Sequence, residues 1–393
     1  MSSEFKKNNE HTVTSFISKE ITGKLSNRRV LFHVEKRLGV YSKEFQKITG
    51  ILPPVSVALC PTPRCVRTCT FCSNISRNRI HIRKKVSYSD NLFKRIVSDL
   101  NYMRVQGVTL AGGGEPTVYE GGGLWNLFSN RQFFQVGLHT NGAAISKTKL
   151  LDLSSSPCLR YINLSFVAHT HELYTKITGS SAEQFNSVEK FLSKYPKILR
   201  KTGSSQEFSV KVLICRENHE YVREMVAYLK KASIINILLR CVANFEKEQN
   251  VELDQKQKTK LRAILRKMDI PISQTNMILG ISPGNIPVPK RCWINTLMYT
   301  AGIDPDGEVY LCSPYSFPKY SIGNVNKTDF KNLWHGKRHF EIIDFLNQKC
   351  ISGECNILAC RHYYSNLAID AFIAGKIKPL NENELDANYG MFI

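Results

Sequence analysis

Three cysteines stand within the eight residues CVRTCTFC, at Cys65, Cys69 and Cys72, and Cys60 precedes them by five positions. Thiolates bind zinc, form redox pairs or hold iron-sulfur clusters, and spacing helps to separate these uses. Zinc sites commonly repeat a CxxC pair after a dozen or more residues and so reach four ligands. CxxxCxxC supplies three ligands in one loop, which suits three irons of a 4Fe-4S cubane and leaves the fourth iron open to a small molecule.

A second group lies far downstream. Cys292 and Cys312 bracket the hairpin signal GIDPDGEVYLC, whose turn is Asp306-Gly307, and Cys350, Cys355 and Cys360 follow in CISGECNILACRH. Five thiols can furnish four ligands with one to spare, for a zinc knuckle or for a second cluster alike. Of twelve cysteines only Cys158, Cys215 and Cys241 stand outside these groups. The opening residues MSSEFKKNNEHTVTSF are polar, and no apolar run approaches the roughly 18 to 20 residues of a membrane span. The chain is therefore expected in the cytoplasm, where clustered cysteines point to metal and not to disulfides.

The elements that must position these residues follow an α/β pattern. Strand-like runs at 55–60, 107–112, 135–140, 161–167, 208–215 and 235–242 alternate with amphipathic stretches such as SDNLFKRIVSDLNYMRVQ and HEYVREMVAYLKKA. Strands alternating with helices predict a parallel sheet with helical crossovers, and six units form a partial (β/α)6 TIM-like barrel naturally. Such folds place their chemistry in the loops after the strands, which is where CVRTCTFC falls. After the second strand comes LAGGGEPTVYEGG. Its glycines allow close backbone approach to a ligand and Glu115 is placed to accept from an ammonium group, although a tight strand-to-helix turn alone would also explain the run.

The expected organisation is a basic extension over 1–50, with an amphipathic helix within 30–48, and a barrel over 51–245. A helical bridge over 246–290 then leads to a small α+β domain with a β-hairpin over 291–393. The 54 Lys and Arg against 33 Asp and Glu give a formal charge of +21. That excess suits an anionic partner such as an acidic peptide, a phosphorylated metabolite, a nucleic acid or an acidic electron carrier, and equally a solvated surface.

Taken together, the CxxxCxxC loop, the GGEP motif (Gly113 to Pro116) and HTNG (139–142) resemble the radical S-adenosylmethionine (SAM) enzymes in both order and spacing. The resemblance implies that Cys65, Cys69 and Cys72 hold a 4Fe-4S cluster whose open iron takes the amino acid part of SAM. It places Phe71 near the adenine, Gly113, Gly114 and Glu115 at the SAM amino group, and Asn141 in the cofactor site. Ser165, with Arg240 as a weaker candidate, would contact the ribose or carboxylate. Ser165-Phe166-Val167 stands where family members often read SLD, so this chain lacks that Asp. The reduced cluster of such enzymes cleaves SAM to a 5'-deoxyadenosyl radical, which takes hydrogen from an unactivated carbon.

Cys292, Gly307, Cys312, the IGNV stretch and the last three cysteines look like the SPASM or shorter twitch extension. This implies an auxiliary 4Fe-4S cluster held by Cys292, Cys312 and two of Cys350, Cys355 and Cys360. Cys215 and Cys241, which close the fifth and sixth strands, would be candidate hydrogen donors as in related epimerases, if they are not simply buried. The resemblance implies modification of a ribosomally made peptide, with oxidation or epimerisation of an amino sugar and RNA modification as alternatives. It also implies a flavodoxin or ferredoxin-type electron donor.

Overall fold

The computed structural model describes residues 30–42, 47–48, 52–72, 86–243, 250–268, 287–355 and 360–379. All six expected strands form: β1 (Ser56–Leu59), β2 (Gly107–Leu110), β3 (Gln135–Thr140), β4 (Leu159–Phe166), β5 (Glu207–Ile214) and β6 (Asn236–Cys241). Each pairs in parallel with the next. Between them run α1 (Asp90–Tyr102), α2 (Gly123–Ser129), α3 (Lys147–Ser154), α4 (His171–Thr178), α5 (Ala182–Thr202) and α6 (Val222–Lys231). Ser89, Ser146 and Thr170 cap α1, α3 and α4 by accepting from backbone N–H groups that would otherwise lack partners.

Strand periodicity separates two faces. Leu138, Ile162, Leu164, Val210, Val212 and Leu239 are buried on one, in a single core with Phe93, Phe128, Phe191 and Met225. Register puts His139, Asn163, Ser165, Ser209, Lys211 and Arg240 on the other, and these polar residues face the barrel interior.

Downstream, α7 (Gln255–Arg266) begins at a capping box between Asp254 and Gln257. Then come α8 (Trp293–Thr296), β7 (Thr300–Ile303), β8 (Glu308–Tyr310), β9 (Gly323–Asn324), α9 (Phe330–Leu333), α10 (Lys337–Ile351) and α11 (Tyr363–Ile373). The expected hairpin is β7–β8, but it does not stand apart. β7 pairs in parallel with β1, so among the described residues one sheet runs β9-β8-β7-β1-β2-β3-β4-β5-β6. The exposed edge that β1 would present is thereby covered.

The N-terminal helix is much shorter than its hydrophobic pattern implies. Helical residues run over 30–32 and Val34–Leu38, and the antiparallel pair Tyr41–Ser42 with Lys47–Ile48 takes over after Gly39, where β-branched and aromatic residues favour extended backbone. Arg37 of this helix is buried and donates to the carbonyls of Leu297 (2.6 Å), Met298 (3.0 Å) and Pro53 (2.7 Å), with its guanidinium over the Tyr299 ring. Part of the basic N-terminal segment thus braces the entries to β1 and β7. Most of the expected linker ISPGNIPVPK lies outside the described residues. Among the described residues no helix is long and apolar enough to cross a membrane.

Candidate active site and thiol pocket

The cysteine loop leaves β1 and is fastened on both sides. Thr68 and Thr70 donate their N–H groups to the carbonyls of Thr178 (2.8 Å) and Ile177 (3.0 Å) at the end of α4, and Cys72 donates to the carbonyl of Cys69 (3.1 Å). On the other side Gly114 donates to the Thr62 carbonyl (3.1 Å) and Glu115 to that of Arg64 (2.7 Å). A Cβ on Gly114 would stand 2.1 Å from the Arg64 oxygen. Glycine is required there by the cysteine loop itself.

Glu115, 3% exposed, ties two strand ends together. Its Oε1 accepts from Thr117 N (3.2 Å), Thr117 Oγ1 (2.6 Å) and Thr140 Oγ1 (2.6 Å), whereas among the described residues Oε2 accepts only from Asn141 N (2.7 Å). Oε2 therefore retains capacity for a ligand donor. Asn141 Nδ2 donates to Cys65 Sγ at 3.5 Å, and the Asn141 carbonyl accepts from Arg67 at 2.7 Å. Arg67 is buried, donates also to the Tyr174 hydroxyl (3.1 Å) and lies over that ring. The sequence reading did not single out Arg67, which stands between two expected ligands.

Burial raises the Cys65 thiol pKa, opposed by the hydrogen bond from the Arg67 backbone, and pushes that of Cys69 up to about 12 with added repulsion from Cys65 and Cys72. The three thiols act on one another and so share one site. Burial opposes free thiolates; iron ions supply the positive charge that would favour them, so this donor set fits a cluster. Phe71 is half-buried against the core beside them.

Inside the barrel, Ser165 pairs in register with Lys211, and Leu213 with Arg240. His139 Nε2 lies 3.2 Å from the Tyr161 hydroxyl. Burial, then the positive charges of Lys211, Arg240 and Arg361, drive His139 well below its ordinary pKa. Burial and Arg240 bring Lys211 down to about 7. Arg361, just beyond Cys360, thus reaches from the C-terminal region into the barrel's electrostatics, a contribution no motif announced.

All five downstream cysteines, Cys292, Cys312, Cys350, Cys355 and Cys360, line one pocket, with Tyr315, Leu346, Tyr363 and Asn366 among its walls. Burial raises Cys292 to about 12, with Cys360 and Cys355 adding to it, and raises Cys312 further. Cys350 and Cys355 share a hydrogen bond that lowers the pKa of Cys355. Asn295 donates to Cys292 Sγ (3.2 Å). Among the described residues no three His, Cys, Asp or Glu side chains converge closely enough for a single metal ion. A cubane differs in that each thiolate binds its own iron.

Two expectations need correction. Cys241 follows Arg240 and so takes the outer face of β6, where Lys258 and Glu252 act on its thiol. Cys215 is 1% exposed, packed in the core, with its thiol against Glu217. Cys241 therefore faces away from the barrel interior and is not placed to hand hydrogen to a substrate there, and Cys215, one residue past β5, is enclosed by the core. Cys60 and Cys158 are buried core residues.

Residues 59–243 match the radical SAM superfamily and residues 292–361 match the SPASM iron-sulfur cluster-binding domain. The chain belongs to the radical SAM enzymes and carries a C-terminal SPASM domain. The cofactors of that class are 4Fe-4S clusters and SAM. The fold is shared with Streptococcus suis SuiB bound to S-adenosylmethionine (15% identity, 84% of this chain and 75% of that one, TM-score 0.56). It is shared also with SuiB bound to precursor peptide SuiA (14% identity, 84% and 74%, TM-score 0.55). Native anSMEcpe with bound AdoMet and Kp18Cys peptide is a third relative in fold (18% identity, 83% and 100%, TM-score 0.53). No curated protein sequence matches the chain.

Proposed function

We propose that the protein modifies a peptide by hydrogen abstraction inside the barrel, drawing electrons from a flavodoxin or ferredoxin-type donor in the cytoplasm. The observation that carries this reading is the fold shared with SuiB and anSMEcpe, whose structures hold the precursor peptide SuiA and the Kp18Cys peptide. The charge of +21 supports an acidic peptide partner.

In this reading Cys65, Cys69 and Cys72 hold the SAM-binding cluster, and Cys292, Cys312 and two of the remaining three hold one auxiliary cluster. When bound, the first cluster and SAM supply the reducing electron and the 5'-deoxyadenosyl radical. The chain's own residues orient the reactants. Glu115 Oε2, with the backbone of Gly113 and Gly114, receives the SAM amino group; Asn141 holds the loop end against Cys65; Phe71 lies at the adenine. Ser165 contacts the ribose or carboxylate. The enclosing sheet keeps water from the reacting carbon. The barrel is assigned to 51–245 and the auxiliary domain to 291–393.

The test is incubation of anaerobically reconstituted enzyme with SAM, reductant and the product of a short reading frame encoded beside its gene, in deuterated water. Formation of 5'-deoxyadenosine together with a mass change or deuterium in the peptide is expected. Coupling of 5'-deoxyadenosine only to a sugar or an RNA would overturn the peptide assignment.

A further inference from the structure

Three buried asparagines, Asn295 of α8, Asn347 of α10 and Asn366 of α11, gather at the chain segment that starts with Cys292. Asn347 Oδ1 accepts from Cys292 N (3.1 Å) and Thr296 Oγ1 (2.9 Å), which ties α10 to the backbone of the thiol. Asn366 Oδ1 accepts from Ile294 N (3.0 Å), so the other end of that amide is its NH2 group. Asn366 is 2% exposed and lines the pocket of five cysteines, and among the described residues its Nδ2 makes no hydrogen bond.

Asn295 is the clearest case. It is 3% exposed, its Oδ1 is buried without a partner, and among the described residues its side chain makes one hydrogen bond, from Nδ2 to Cys292 Sγ at 3.2 Å. Burying a carboxamide costs free energy that a thiol, a weak acceptor, returns poorly. A thiolate returns more, because a hydrogen bond to a charged acceptor is roughly twice as strong as a neutral one. The neighbouring walls, Leu346, Pro314, Tyr315 and Tyr363, give apolar packing that does not call for amides.

We propose that Asn295 and Asn366 donate hydrogen bonds to the sulfurs of the auxiliary cluster and raise its reduction potential, while Asn347 positions Cys292 to receive the first of them. The inference rests on the reading that this pocket holds that cluster. None of the three amides is a ligand; each acts through sulfur. A reduced cluster carries one more negative charge than an oxidised one, so donors aimed at its sulfurs favour the reduced form. A raised potential suits a cluster that takes up an electron, not one that must reduce SAM.

The test is a redox titration of anaerobically reconstituted holoenzyme followed by electron paramagnetic resonance, with iron and zinc counted in the same samples. The auxiliary signal is the one that SAM does not perturb. Asn295→Leu removes the donor and no other hydrogen bond of that side chain, and is expected to weaken the cluster's affinity for an electron about tenfold, a midpoint lower by about 59 mV for one electron. Asn366→Ala should lower it by a smaller step, and Asn295→Gln, which keeps an amide donor, should recover part of the loss. The midpoint of the SAM-sensitive signal and an iron content of about eight should not change.

An auxiliary midpoint unmoved in both Asn295→Leu and Asn366→Ala, with all iron retained, would overturn the proposal and leave the cluster assignment standing. Equal falls in the two signals would also overturn it, since a general loosening would then be the cause. If Asn295→Leu alone sheds the auxiliary irons, the midpoint of Asn366→Ala decides: a fall upholds the proposal and no change overturns it. Loss of those irons from both variants would overturn it, because the amides would then build the pocket without tuning its cluster. Wild type with about four irons plus zinc would overturn the cluster assignment itself, and the proposal with it.

Discussion

Cys65, Cys69 and Cys72 come from one loop of eight residues, whereas Cys292, Cys312, Cys350, Cys355 and Cys360 are brought to one cavity from a helix start, a hairpin, the end of α10 and the segment before α11. The first group has one thiol fewer than a cubane's four irons, and the second has one more. A deficit next to an open barrel leaves coordination for a small molecule, and a surplus in a side cavity permits a site closed by protein. The architectures match these roles. The loop is held by backbone hydrogen bonds to the end of α4 and to the Gly114–Glu115 turn, while the pocket is walled by aromatic and aliphatic side chains.

The strongest way to break the comparison is to remove each set of thiols. Cys65→Ala/Cys69→Ala/Cys72→Ala should bring 5'-deoxyadenosine formation to background, while Cys292→Ala/Cys312→Ala should keep cleavage of SAM and lose product; chromatography of both products checks this. Equal loss in the two variants would erase the distinction. Next in size is Arg67→Met, which leaves the Asn141 carbonyl and Tyr174 hydroxyl without their shared donor. It should cost about 3 kcal/mol in denaturant unfolding, because a charged hydrogen-bonded group is lost from a buried site. Gly114→Ala forces a Cβ against the Arg64 backbone. A cost of about 2 kcal/mol and lower iron retention are expected, because this overpacking displaces the loop itself.

Lys211 gives a smaller effect with a definite sign. Its folded pKa of about 7 lies below the ordinary 10.5, so the folded state sheds its proton first. The penalty is fully present below pH 7 and is relieved as pH rises from about 7 towards 10.5, so wild-type stability should climb across that window. Lys211→Met should be more stable by on the order of 2 kcal/mol at pH 6, with the gap closed near pH 10, as read by thermal unfolding across pH. The smallest effect is predicted for Cys350→Ser. Cys350 acts with Cys292, Cys355 and Cys360 but not with Cys312, so of the five thiols it is the one we propose as the spare, and its removal is expected to leave iron content unchanged.

How much could be read in advance follows the same division. Short apolar-rich runs and glycine punctuation were enough to place the six strands, because the buried outer-face residues recur at every second position within each run. The three-thiol loop was equally plain, since its ligands are sequence neighbours. Motif order also pointed to Glu115 and Asn141. What local sequence could not show was which thiols face which way. Cys241 follows a lumen-facing residue by one position, and a single step along a strand reverses the face. Nor could it show that β7 would pair with β1, that Arg37 would brace the two strand entries, or that Arg361 would reach the barrel. Each depends on residues separated by hundreds of positions, which only tertiary packing brings together.

The most direct test of the contrast between an open and a closed site is electron paramagnetic resonance of the reduced, anaerobically reconstituted protein, with and without SAM, alongside the Cys65→Ala/Cys69→Ala/Cys72→Ala variant. Wild type should hold about eight irons and the variant about four. Addition of SAM should perturb only the signal that the variant lacks. A variant signal that still shifts with SAM, or a variant that retains all of its iron, would contradict the assignment of SAM binding to the three-thiol loop.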